Sequence, residues 1–251
     1  ATTTATALNV ADTTIGAAGL TFRSISSNGG SSTGIILDTT GSFGGLTVTG
    51  AGSPGSGGTI ANKTGADGST ATGIGIYLNA TTNVSLSWMQ LNDFSNFAIH
   101  GLGVIGFALS NSVISGATGT SAGAGDAPIA FGRSNPGGAN GLLGPYNAII
   151  DTTIRGGIEH NLELYNQSSS FTLSVIRVTI RDNSVVSGSD GILAEMQGTA
   201  SGTLVVSDSS FIDNKSQAFQ GNALNSSSLN VSVTNATVTR NTQGNEGLVF
   251  Q

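Results

Sequence analysis

A degenerate repeat runs through the second half of this chain and constrains its fold more than any other feature. Each copy holds two alternating apolar residues, a polar gap, a third apolar residue and a turn former. The clearest copies are VSLSWMQLND (84–93), FALSNSVISG (107–116), NAIIDTTIRG (147–156), LSVIRVTIRD (173–182), LVVSDSSFID (204–213) and VSVTNATVTR (231–240). With the third apolar residue as landmark, they align at Leu91, Ile114, Ile154, Ile180, Phe211 and Val238. Five positions earlier stand Leu86, Leu109, Ile149, Val175, Val206 and Val233; seven earlier stand Val84, Phe107, Asn147, Leu173, Leu204 and Val231. Two positions after the landmark comes Asp93, Gly116, Gly156, Asp182 or Asp213 in most copies. Successive landmarks lie 23, 40, 26, 31 and 27 residues apart. A self-similar period of roughly 20–50 residues marks stacked units, none of which can bury its apolar face alone. The chain reads as a solenoid.

The apolar residues alternate in short bursts of Val, Ile, Leu, Phe and Thr, the period and composition of half-buried strands. A third burst follows each turn, as FAIHG (97–101), PIAFG (128–132), NLELY (161–165), GILAE (191–195), AFQGN (218–222) and GLVFQ (247–251). Three short strands per turn predict an all-β, right-handed parallel β-helix. Leucine-rich repeats are excluded by the sparse Leu pattern and the lack of a capped helical run. The first half carries the same pattern more faintly, with Leu8, Val10 and Ile15 at the landmark spacing and strands expected at 20–25, 34–38 and 45–50. The expectation is one β-helix domain over 1–251, with eight to nine rungs. At about 4.8 Å per rung the stack would be on the order of 40 Å long. Gly-, Ser- and Thr-rich stretches at 50–73 and 116–145 read as protruding loops, and the second accounts for the long interval of 40.

Only 9% of the residues are charged, against roughly 25% in ordinary domains. Solubility therefore rests on Ser, Thr, Asn and Gly, a surface chemistry common in exported bacterial proteins. The net charge of −6, with eight scattered basic residues, excludes a phosphate-binding stripe and hence nucleic acid. No apolar run approaches a membrane span. The small, polar start ATTTATALNV is what a secreted chain shows after signal removal. There is no Cys, so no disulfide framework contributes. Sequons such as Asn62-Lys-Thr and Asn225-Ser-Ser permit N-glycosylation, although a chain this rich in Asn, Ser and Thr produces such triplets by chance.

The segments ALNVADTTIGAAGLTFRSI (7–25), GIILDTTGSFGGLTVTG (34–50) and GIYLNATTNVSLSWMQLND (75–93) resemble the β-helix repeats of very large exported bacterial surface proteins, within the pectin-lyase-like superfamily. The resemblance spans nearly the whole chain. It implies a fold, an extracellular location and an adhesive or scaffolding role, and it carries over no catalytic residue.

Enzymes of that superfamily need converging carboxylates, with calcium and a basic residue in a lyase or with roughly 5–10 Å between two acids in a hydrolase. The densest polar region here is Asp151, Arg155, Glu159, His160 and Glu163, followed by Arg177, Arg181 and Asp182. Reading down the stack aligns Asp151, Arg177 and Asp208 as an alternating charge ladder, the pattern of a structural ion-pair column. Arg155 and Arg181 share another column, suited to an anionic sugar unless Asp182 neutralises them. Asp182, Asp213 and Arg240 form a further corner column, and beside it Asn183, Asn214 and Asn241 read as an amide ladder. Neither His100 nor His160 stands near a recognisable nucleophile. Thr153, Thr179, Ser210 and Thr237 stack outward, but their partners Arg155, Arg181, Ile212 and Thr239 break the regularity that ice binding requires.

The expectation is a non-catalytic, extracellular structural or adhesive solenoid with no cofactor and no metal. Its expected partner is a neighbouring solenoid segment or itself, stacked head to tail into a fibre through Leu8 and Val10 at one end and Leu248 and Phe250 at the other. Binding or degradation of polysaccharide is the alternative, with surface-glycan contacts at Trp88, Tyr146, Arg155 and Arg181.

Overall fold

In the sequence, period-2 bursts of β-branched and aliphatic residues are interrupted every few positions by Asn, Asp or Gly. Alternation builds strands with one buried face, and the interrupting residues tolerate the left-handed backbone that turns the chain sharply. The result, in a computed structural model describing residues 3–121, 125–132, 138–183, 189–239 and 247–251, is a parallel β-solenoid of three sheets. The first sheet stacks nine strands, from Leu8–Ala11 through Ile35–Asp38, Ile74–Asn79, Phe97–Leu102, Ile129–Phe131, Leu162–Asn166, Ile192–Met196 and Phe219–Ala223 to Leu248–Phe250. The second runs from Leu20–Phe22 to Ser228–Thr234 and the third from Ser27–Asn28 to Thr237–Thr239. Every pairing between named strands is parallel, as in a right-handed β-helix with three strands per rung. There are about eight full turns.

The landmark columns are the core. Ile60, Leu91, Ile114, Ile154, Ile180, Phe211 and Val238 lie in register along the third sheet. Leu86, Leu109, Ile149, Val175, Val206 and Val233 do the same on the second. Ile35, Ile76, Ile99, Ile129, Leu162, Ile192 and Phe219 line the first. All are buried except Val233 and Val238 in the last rung. Each buried side chain of this size contributes roughly 1.5–3 kcal/mol, so the stack is held by many equivalent layers.

The corners are single residues with positive φ. Between the second and third sheets they are Gly50, Trp88, Asn111, Asp151, Arg177, Asp208 and Asn235; between the third and first they are Gly29, Asn62, Asp93, Gly116, Gly156, Asp182 and Asp213. The turn formers read from the repeat are this second set.

Two expectations are corrected. Leu8 and Val10 pair with Ile35 and Leu37 in the first sheet rather than occupying the second-sheet positions of Val84 and Leu86. Alternation followed by a turn looks the same at every corner, so the faint first copy lies one sheet away from where its spacing points. The stretch 50–73 is interrupted by the strand Gly58–Lys63, whose Ile60 fills the core column. The rest of 50–73 and part of 116–145 do project. Segments 64–72 and 117–121 meet over the outer face of the first sheet, where the Asp67 carboxylate accepts from Thr120 Oγ1 at 2.5 Å and Ser121 Oγ at 2.7 Å. Beneath them Ile74, Phe97, Ala127, Ala130 and Tyr77 form a small second core, and the His100 ring stacks on Phe97 at 4.5 Å.

Candidate functional site

The densest polar region of the sequence is divided between two corners, and the second of them carries two separate groups. At the first, Asp151, Arg177 and Asp208 occupy successive rungs as the sequence suggested. Arg177 donates from Nε to Asp151 Oδ1 at 2.6 Å and from a terminal nitrogen to Oδ2 at 2.9 Å. Asn235 donates to Asp208 Oδ1 at 2.6 Å one rung further on. Trp88 continues this corner column three rungs before Arg177, half-buried and lying over Gly50, where a Cβ would meet its ring.

At the second corner, Arg155 and Arg181 are in register. Asp182 serves both, with Oδ2 at 2.6 Å from Arg181 Nε and 3.9 Å from an Arg155 nitrogen. The pair is thereby partly neutralised within the chain. Arg240 and Asn241 lie outside the described residues. Asn183 and Asn214 do not form an amide ladder with each other. Asn183 Nδ2 donates to the carbonyls of Glu159, Ser189 and Asp190, and Asn214 Nδ2 donates to that of Ile180 while its Oδ1 accepts from Asn161. Buried turns carry unpaired carbonyls, and an inward amide satisfies them more effectively than another amide.

Further along the same third-to-first connections, the turn before Leu162–Asn166 brings His160 beside Asp190, which precedes Ile192–Met196. His160 is 8% exposed and Asp190 1%. His160 Nδ1 accepts from the Asp190 backbone N–H at 3.2 Å, and Asp190 Oδ2 lies 3.3 Å from the same nitrogen. Burial alone would lower the His160 pKa; the adjacent Asp190 carboxylate, placed to accept from a protonated ring, and the charges of Glu163, Asp190 and Glu159 outweigh it and hold it above 6.5. Burial pushes the Glu159 carboxyl above its ordinary 4.5. Asp190 was missed in the sequence, where it sits among polar turn residues with no periodic signature.

Tyr146 is the most exposed large hydrophobic side chain among the described residues, at 85%. The register shifts between Gly144 and Asn147, and the bulge throws Pro145 and Tyr146 outward. Asn147 fixes it from inside: Nδ2 donates to the carbonyls of Leu143, Gly144 and Thr172, and Oδ1 accepts from Phe107 N–H at 3.0 Å. The lone polar residue in an otherwise apolar repeat column was the sequence signal for this bulge. Beside it, Gly144, Pro145, Ser170, Phe171, Thr172, Ser201 and Thr203 line a shallow groove of about 150 Å³ with no charged residue in its wall. Trp88, Tyr146 and the two arginines belong to different corners or faces of the solenoid, and no contact joins them.

The ends differ. Leu8 and Val10 are half-buried against the core. Leu248 is 45% and Phe250 58% exposed, although Phe219, one rung earlier, is 1% exposed. Among the described residues no group of three or more His, Asp or Glu is arranged to hold a metal ion, and no helix is long and apolar enough to cross a membrane. No protein-family model, curated protein or solved structure matches the chain.

Proposed function

We propose that the chain is a non-catalytic, extracellular structural and adhesive solenoid segment whose apolar last rung is covered by a further solenoid rung, from a neighbouring solenoid segment or from the first rung of another copy. The observation that carries this reading is the apolar surface of that rung. Val233, Val238, Leu248 and Phe250 are 38–58% exposed, at positions whose equivalents one rung earlier are buried. Exposed apolar strands with an open edge are templates for pairing with another strand. Leu8, Val10 and Leu20 at the opposite end present half-buried side chains of the same kind. A head-to-tail contact of this type does not close and propagates into a filament. The 9% charge content supports an extracellular setting. Sedimentation across a concentration series tests the contact: wild type grows in mass with concentration, and Leu248→Lys with Phe250→Lys stays monomeric. Growth that the double substitution leaves unchanged contradicts the head-to-tail contact.

A second reading, binding of neutral surface glycan, is favoured by the groove beside Tyr146. An exposed aromatic ring offers a sugar an apolar face, and Ser170, Thr172, Ser201 and Thr203 offer hydroxyls. Pull-down on dextran, xyloglucan and galactomannan, with Tyr146→Ala as control, decides it. Retention that survives the substitution, or no retention at all, removes this reading.

A further inference from the structure

His160 stands where three turns of consecutive rungs meet. Its own turn, 156–161, is tied to the next by the Asn161 N–H on Asp190 O at 3.1 Å and by the Asn183 amide, which holds the carbonyls of both Glu159 and Asp190. Asp190 reaches onward with Oδ1, which accepts from Gln217 N–H at 3.1 Å in the turn after that. Its other oxygen, Oδ2, is buried and accepts no hydrogen bond among the described residues, yet it lies 3.3 Å from His160 Nδ1. One nitrogen therefore faces two groups of the same residue. Unprotonated, Nδ1 accepts from the Asp190 N–H; protonated, it becomes a donor, and the only hydrogen-bond role then open to it toward Asp190 is donation to Oδ2.

We propose that His160 and Asp190 form a proton-operated clasp that tightens the joint between these three turns as the surroundings acidify. Three carboxylates face the imidazole: Asp190 from the turn before Ile192–Met196, Glu159 from its own turn and Glu163 from the strand Leu162–Asn166. Protonation adds one cation to a buried site crowded with carboxylates and supplies Asp190 Oδ2 with the donor it lacks. A buried acceptor left unsatisfied costs more than a typical hydrogen bond contributes, so the gain is concentrated at this joint.

The direction of the pH effect follows from the shifts. A histidine raised in the folded state contributes stability that is complete below 6.5 and is lost as pH rises through the folded value. Glu159, raised above 4.5, acts in the same direction: the folded chain binds its proton more readily, so this contribution also declines as pH rises. The clasp is closed in mild acid and loosened in mild alkali, opposite to the usual loss of stability in acid from ion-paired carboxylates.

The test is an NMR titration of the two histidine rings in the whole chain, combined with melting curves from pH 6 to 8. His160 is identified by its absence in His160→Gln. The expected result is a His160 ring that stays charged above pH 6.5 and falls below it in Asp190→Asn. Wild type should also melt at a higher temperature at the acidic end than at the alkaline end; His160→Gln should lack that difference. A wild-type ring that is neutral or titrates at or below 6.5 overturns the clasp, and this reading needs no variant to fold. An identical melting profile in wild type and His160→Gln overturns it equally.

Discussion

Arg177 forks onto Asp151 from the rung above, with both guanidinium contacts under 3 Å, and both residues hold the same left-handed backbone at φ 53° and 50°. The corner geometry thus puts two side chains in one column at rung spacing, where opposite charges meet without further design. The hydrogen bonds from Arg177 hold the Asp151 carboxyl below its ordinary 3.8. A depressed carboxyl contributes stability above the unfolded value and loses it as pH falls through the folded one. Arg177→Met should lower the urea midpoint slightly at neutral pH. The difference from wild type should vanish well below pH 3.8 and shrink in about 1 M salt, because both groups are solvent-exposed. A salt-independent difference contradicts the ion-pair account.

The layered core predicts a sharp contrast between adjacent residues. Ile180 is fully buried between Ile154 and Phe211, whereas Thr179 points outward between Thr153 and Ser210. Ile180→Ala should cost about 2–5 kcal/mol by urea denaturation and Thr179→Ala within about 0.5 kcal/mol. Comparable losses at the two positions would contradict the assigned register.

Much of this fold was legible because its chemistry repeats. Alternation fixed which face of each strand is buried, and the Asp or Gly two residues after each landmark marked the corner. The first rungs were harder to place. Leu8, Val10 and Ile15 reproduce the repeat spacing by coincidence, since any burst–turn–burst fits it, and only pairing with Ile35 and Leu37 fixes the sheet. The polar sites were legible where partners recur at the repeat interval, as with Asp151 and Arg177. His160 and Asp190 lie 30 residues apart in turns of unequal length, and Lys63 meets Thr4 across 59 residues, so no column pointed to either.

Lys63 carries its own prediction. Its ammonium is buried and donates to Ser27 Oγ at 2.6 Å, Gly29 O at 2.8 Å and Thr4 O at 3.3 Å, and burial lowers its pKa. It fastens the segment around Thr4 to the first two rungs, beside the Asn28 N–H bond to Thr3 O. Lys63→Met should leave those oxygens without a donor and raise amide exchange at Asn28 roughly tenfold. Unchanged protection at Asn28 would show that the segment is held by other contacts.

Gly156 tests the corners. Its φ is +86°, and an added Cβ would lie 1.8 Å from Gly116 O, a backbone atom that cannot move aside. Gly156→Ala should destabilise the chain by more than the roughly 1 kcal/mol that left-handed backbone alone costs an L-residue. Asp182→Ala, one rung on at φ 53°, lacks a comparable clash and should cost less. An equal cost at both positions would mean that crowding between rungs does not limit this corner.

The central claim, that copies stack end to end through an open apolar rung, is tested most directly by electron microscopy of the concentrated protein in physiological buffer. The account predicts unbranched filaments one solenoid wide, with a strand spacing of about 4.8 Å along the axis and a subunit repeat on the order of 40 Å. Discrete, monodisperse particles at high concentration, with Leu248 and Phe250 still open to solvent, would contradict it.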